Sequence, residues 1–357
     1  MPTPTSPSKR FYGCAAKQKA TGLWDNTPQA VGAGDELFVS SDGDPQLKQE
    51  FKPFRGLNSI MAKDGDLGPA DAIDWSLPFD GEGCGIQYEM GSMGSLLAAF
   101  MGTLTAPAQQ GATPAYKHVF DMADEVSKVF SFASERPGDI WEVPSCMPIK
   151  LNLKPGNGFL QGSITLRGNH LNNTSTVNTA TQLDAISKAA EGNIIRFQDG
   201  VFRINGQSGD ALDSGDNLEL ADFDINLERS ADARQVLGGS YIKKPAESGL
   251  LGTLKVKIPH ETGGAAAWFA NFLAKTAQKA SLIFTGPTEA GTGYPYSWVL
   301  SFPRLMPQLP PGVKLEDIID SELTFLILEA AAAPTGMTGH VRPFIEAVNL
   351  RSTAYVS

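Results

Sequence analysis

The residues with chemical reach in this chain are four histidines, three cysteines and one dense run of acids. His118, His170, His260 and His340 stand far apart, with no HxH or HExxH spacing. A zinc pair needs two such ligands on one strand or one helix face, so none is expected. Each histidine reads as a surface or strand-end residue. Cys14, Cys84 and Cys146 are an odd set without a CxxC pair. That argues against a disulfide framework and for small buried hydrophobes in a reducing cytoplasm. The stretch GEGCG, Gly81 to Gly85, has the outline of a nucleophile elbow. It lacks the GxSxG serine, and no base for Cys84 is evident. It reads as a tight turn around a buried thiol.

Asp210, Asp213, Asp216, Glu219 and Asp222 crowd into SGDALDSGDNLELAD. A calcium loop of the D-x-[DN]-x-[DN]-G kind needs a different spacing, so this is read as a solvated acidic loop. No GxxxxGK[ST] or GxGxxG lies between a strand and a helix, which removes the common phosphate cradles. Aromatic residues are scattered on strands without interleaved bases, so no stacking platform for single strands is expected. The expectation is a non-enzymatic protein: no catalytic residue, cofactor or metal.

The elements that would position any site are mostly strands. The chain has 357 residues, of which 41% are hydrophobic, and a formal charge of -10. A protein that grips nucleic acid by its phosphates needs a basic surface instead. The first residues contain no apolar core of a signal peptide. The longest helical apolar run, Ser95 to Gly102, falls well short of the roughly 20 residues that span a bilayer. A soluble protein made in the cytosol, without membrane insertion, is expected.

Residues 1–50 are rich in Pro, Gly, Ser, Thr and Asp and read as an extended N-terminal arm with one short strand, DELFVSS. From Phe51 strand signals dominate, interrupted by a helix at MGSLLAAFMG. IKLNLK, Ile149 to Lys154, alternates strictly, and PGNG turns it into a second alternating run, SITLR. FDINLE, Phe223 to Glu228, alternates in the same way and is followed by GLLGTLKVKI. GFLQGSITLR and GLLGTLKVKI are near copies. A helix follows each hairpin, TQLDAISKAAEG (capped by Thr181) after the first and AAAWFANFLAKTAQKA after the second. The chain therefore reads as a duplicated β-hairpin, helix, β-hairpin unit. Residues 51–205 are the first β domain and 206–357 the second.

With these phrases in place, a resemblance emerges. YKHVF, SFASER and MPIKLNLKPGNGFLQGSITLRG, then IIRFQDGVFRING, LADFDINLERSADARQVLGG and GLLGTLKVKI, resemble the major tail tube proteins of long-tailed (siphovirus-like) bacteriophages. SLLAAFMG matches the short Leu/Ala-rich helix of that family. The resemblance runs from about Phe51 to the C-terminus. It implies a mainly β fold: tandem tail-tube-type β-sandwich or half-barrel domains, each with a short flanking α-helix. It also implies subunits in rings that stack into a hollow tube through which double-stranded DNA passes, in a virion tail assembled in the host cytoplasm. Implied partners are further copies of the chain, tail terminator, tape-measure and tail-tip proteins. The repeat favours trimeric over hexameric rings. A non-enzymatic β-sandwich binding or decoration protein is the alternative.

On the tube reading, the lumen is lined by the polar positions of the alternating strands. These are Lys150, Asn152, Lys154, Thr165, Arg167, Asp224, Asn226, Glu228, Lys255 and Lys257. Ile149, Leu151, Leu153, Phe223, Ile225, Leu227, Leu254, Val256 and Ile258 should then face the core. Carboxylates should offset the lysines. The other placement of these polar faces is the outer surface.

Overall fold

Period-two alternation becomes strand almost wherever it occurs. In the computed structural model, 50% of the chain is strand and 9% helix. The structure describes residues 14–20, 23–47, 50–54, 64–67, 72–81, 84–126, 128–136, 139–174, 176–186, 192–235, 241–259, 264–310, 312–315 and 319–356.

In chain order, β1 is Cys14–Gln18, β2 Phe51–Phe54, β3 Asp64–Leu67 and β4 Ile73–Pro78. Helix α1, Met93–Met101, leads into β5 (Gly102–Leu104), β6 (Ala108–Gln109), β7 (Tyr116–Met122) and β8 (Phe130–Arg136). The hairpin of β9 (Asp139–Gly156) and β10 (Phe159–Gly168) follows. Helix α2, Ala180–Ala185, precedes β11 (Gly200–Gly206) and β12 (Asn217–Leu218). Next come the long hairpin of β13 (Asp222–Arg234) and β14 (Lys243–Pro259), then helix α3, Gly264–Leu273. The chain closes with β15 (Gln278–Gly291), β16 (Tyr294–Pro307), β17 (Gly312–Leu315), β18 (Ile319–Ile327) and β19 (Phe344–Asn349).

Antiparallel pairing joins β4, β10, β9, β13, β14 and β18, in that spatial order. Asn157 and Gly158 both take positive φ in the β9–β10 turn, as a two-residue type I′ hairpin requires. The first part of β9 pairs with β8, and β8 with β1. A second run joins β11, β15, β16, β19 and β7. The end of β16 crosses over to pair with β18.

One core is shared by both runs. Trp75, Leu151, Ile225, Leu254 and Phe325 from the first meet Phe120, Phe202, Phe284, Trp298 and Ile345 from the second. Each such side chain contributes about 1.5–3 kcal/mol on burial. Helix α1 belongs to the same cluster and is buried from Leu96 to Met101, so it is a core helix and not a flanking one.

The structure corrects several expectations. Residues 14–20 and 23–47 are no loose arm: β1 is paired, and Val31 and Leu37 are buried. Small apolar Cys14, Ala15 and Ala16 fit beneath a neighbour without the alternation that marks a half-wet strand. DELFVSS forms only an isolated bridge, Glu36 to Ala15. Met1 to Gly13 lie outside the described residues. Helix α2 is capped by Thr179, whose hydroxyl and Gln182 form a capping box, rather than by Thr181. The boundary at 205/206 falls inside β11, which pairs with β12 and β15 of the second segment. The β9–β13 and β7–β19 ladders also cross it, so the two segments share sheet and core.

Candidate functional site

All ten polar positions singled out in the sequence lie on one face of the six-strand run. The registers make this explicit. Thr165 stands opposite Lys150, and Lys150 opposite Glu228. Asn152 stands opposite Asn226, and Asn226 opposite Thr253. Asp224 stands opposite Lys255, and Lys257 opposite both Asp222 and Glu322. Arg167 is opposite Asp74. Lys154, Glu228 and Lys255 are exposed and the other seven are half-buried.

The opposite positions are the core. Leu151, Leu153, Phe223, Ile225, Leu227, Leu254 and Val256 are all buried, and Ile258 packs against the same cluster. Ile149 departs from this pattern. The β9–β10 register slips between Thr165 and Leu166, and a bulge of this kind adds a residue to one strand and re-aims its side chain. Ile149 is buried in a satellite cluster with Val126, Met147 and Ala231 instead.

The face is electrically balanced. Lys150, Lys154, Arg167, Lys255 and Lys257 share it with Asp74, Asp222, Asp224, Glu228 and Glu322. Arg167 grips Asp74 in a two-pronged pair, with its Nη2 2.5 Å and its Nε 2.6 Å from the carboxylate. Lys150 reaches Glu228 at 3.3 Å. Asn152 Nδ2 donates to Asp224 Oδ1 at 2.8 Å. A hollow of about 210 Å3 lies at one end, lined by Asp222, Asp224, Lys255, Lys257 and Glu322 among others. One apolar side chain interrupts the face opposite Glu228. Leu251, 71% exposed, lies on it, two residues along β14 from Thr253.

The duplicated phrases occupy matched registers. Gly162 faces Leu153 as Gly252 faces Leu227; Ser163 faces Asn152 as Thr253 faces Asn226. Between the hairpins, Leu151 pairs with Leu227 and Leu153 with Ile225, centred on the Asn152–Asn226 pair. The units are thus related by a local dyad through that pair. β9 and β13 run in opposite directions, whereas rotation about a tube axis preserves strand direction. The two leading hairpins match, but β11 pairs with β15 and closes no second hairpin in the first segment, and the symmetry of the match is not that of tandem domains side by side in a ring.

The remaining candidates are scattered. His118 is buried, its Nε2 donating to the Arg351 carbonyl at 2.9 Å, and burial lowers its pKa. Burial lowers that of His170 as well. His340 lies against Asp121 at 2.5 Å and stacks on Phe344. His260 lies outside the described residues. Burial pushes all three cysteine thiols up, away from the thiolate that nucleophilic attack needs. Of the acidic loop, Asp213 caps the turn Ser214–Asp216. Among the described residues no group of three or more His, Cys, Asp or Glu is placed to hold a metal. No described helix is long and apolar enough to cross a membrane.

Sequence reading missed one polar centre. Arg229, buried, donates to the carbonyls of Phe100 and Met101 at the end of α1 and to those of Ala123 and Asp124. Its Nη1 is 3.4 Å from Glu247, also buried, whose carboxylate accepts from the Val126 amide. Desolvation lowers the guanidinium pKa and Glu247 opposes that shift. The only trace in the sequence is an arginine at an inward position of an alternating strand.

A scan against models of known protein families finds no match, and neither does a search of curated proteins.

Proposed function

We propose that the chain is a structural virion protein, a tail tube subunit whose copies form rings that stack around a DNA-conducting lumen. The balanced polar face, backed by an apolar core, carries this reading. A conduit must wet its bore without holding its cargo. Each phosphate engaged by an unpaired base adds salt-dependent affinity, and many copies would multiply it. Five bases offset by at least as many carboxylates on one continuous sheet minimise that drag.

On this reading the partners are copies of the chain, a tail terminator, a tape-measure protein, tail-tip proteins and passing double-stranded DNA, all within a virion tail. Trimeric rings were favoured by the tandem repeat; the dyad between its units removes that preference, and three and six copies both remain as ring compositions. The test is electron microscopy of the purified chain, together with cysteine placed at Asn152 or Asn226. Hollow tubes of uniform width are expected, with both cysteines shielded from a reagent too bulky for the bore. Rapid labelling in assembled tubes would put the face outside and overturn the assignment. A chain that stays monomeric at high concentration would favour a binding or decoration protein. The mass of the smallest ring gives its copy number.

A further inference from the structure

On its side away from the shared core, the run of β11, β15, β16, β19 and β7 carries a row of mostly polar side chains. Arg203 stands opposite Ser281, Ser281 opposite Ser301, Ser301 opposite Phe344 and Phe344 opposite Asp121. The residues next to them in the chain, Phe202, Leu282, Phe302, Ile345 and Phe120, belong to the core. A hollow of about 390 Å3 lies over this row, within the range of roughly 300–1,000 Å3 that ligand pockets occupy. Two loops wall it, one after β11 and the other between β18 and β19. Lys279, fully buried, donates to the Gly209 carbonyl of the first at 2.7 Å and to the Thr335 carbonyl of the second at 3.0 Å. Gly336, at φ +85°, passes so close to Ala211 that a Cβ there would lie 2.8 Å from that of the alanine. The walls are therefore fixed against each other before any ligand arrives.

The pocket presents donors and acceptors together. Ser281 and Ser301 place their hydroxyls 2.8 Å apart on its floor. One donates to the other, which leaves a proton and lone pairs for a ligand. Arg203 uses its Nε on Asn217 Oδ1 at 3.1 Å and retains both Nη groups. Glu346 meets Lys117 through Oε1 at 2.6 Å and retains Oε2. His340 is held through Nδ1 by Asp121 and retains Nε2. Ile283, Val299 and Met337 supply an apolar patch beside these groups.

We infer that this pocket binds a small neutral saccharide. An anion would meet the carboxylate of Glu346, and a cation would meet the guanidinium of Arg203. A purely apolar molecule would take both groups out of water with nothing in return. A sugar ring carries hydroxyls that donate to Glu346 and His340 and accept from Arg203, while either role suits the serine pair. Its C–H face matches the patch of Ile283 and Val299. The inference goes beyond the tube reading and does not depend on it, because the pocket and the balanced polar face stand on different strand runs.

The test is saturation-transfer NMR on the full chain, titrated with glucose, galactose, N-acetylglucosamine, maltose and lactose up to millimolar concentration. Glucuronate and glucosamine, hexose rings that carry a carboxylate or an ammonium, are the charged controls. At least one neutral sugar is expected to bind, and more tightly than either control. Arg203→Gln and Ser301→Ala should each weaken that binding about tenfold, as loss of one hydrogen bond from a charged or buried group does. Arg203 is half-buried at the wall, so Arg203→Gln should keep the wild-type thermal unfolding and remain informative if Ser301→Ala does not fold. No transfer to any neutral sugar of the set, tighter binding of a charged control, or undiminished binding by Arg203→Gln overturns the site. Sugar binding by a chain that forms no tubes would uphold the pocket and reject the tube alone.

Discussion

Arg229 concentrates more stabilising contacts than any residue of the polar face. Its guanidinium meets the carbonyl end of α1, where the helix dipole favours a cation, and shares a buried pair with Glu247. Arg229→Met should cost about 3–5 kcal/mol, because it strands the Glu247 carboxylate in the interior; urea unfolding would measure it. Arg229→Met with Glu247→Gln should recover part of that loss. The surface pair of Lys150 with Glu228 is different, and its removal should shift stability by less than about 1 kcal/mol. A pH effect follows from His118. Its folded pKa lies below the ordinary value because burial disfavours the imidazolium. The unfolded chain takes up the proton that the folded chain refuses. The His118 contribution is therefore present above the ordinary histidine pKa and is lost as pH falls through it toward the lowered value. Thermal unfolding at pH 7 and pH 5 should show a larger acid loss for the wild type than for His118→Gln. The alternation that exposed the polar face placed Arg229 inward but said nothing of what it meets there. A buried arginine and histidine are recognisable only by partners that are distant in the chain.

At the level of single elements, strands with one wet face were legible and those without one were not. IKLNLK, SITLR, FDINLE and GTLKVKI reveal their two faces because each alternates between water and core. CAAKQ does not, because β1 is short, small-chained and buried at its start. The bulge at Ile149 was also hidden, since it arises from pairing with β10 and not from the pattern of β9. Neighbouring residues on β9 should respond in opposite ways. Leu151→Asp places an unpaired carboxylate in the core and should abolish folding, by loss of the cooperative unfolding transition. Asn152→Ser, which gives up the bond to Asp224 on the wet face, should cost no more than about 1 kcal/mol. Helix α1 has a tight contact at Gly94, where an added Cβ would sit 2.3 Å from the Tyr355 ring. Gly94→Ala should push the ring aside, cost about 1–3 kcal/mol, and expose the C-terminal segment to proteolysis. Helix α3 buries only part of its apolar surface. Trp268 packs on Phe325, but Phe269 and Leu273 remain 47% and 65% exposed.

For the whole molecule, balance of charge matters more than any one group. Replacing Asp224 and Glu228 by lysine adds four charges to a face whose acids and bases otherwise match. If the face lines a bore, tubes of that variant should retain double-stranded DNA at low salt and release it as salt rises, while wild-type tubes retain little; filter binding across a salt series reads this directly. The matched hairpins were visible in the sequence, but their dyad was not, since phrase order carries no information about which hairpin edges meet. Nor did the sequence reveal that one core would serve both segments. That shared core has a consequence for how the chain is made. Tyr116 must wait for Asn349 and Asp121 for Phe344 before β7 gains its partner β19. The β9 edge likewise stays bare until β13 has been synthesised. Pairings between distant segments form slowly, and their open edges invite mispairing in the meantime. A ribosome that has released only the first half should therefore hold an aggregation-prone intermediate, so chaperone supply during translation should govern the yield of soluble chain.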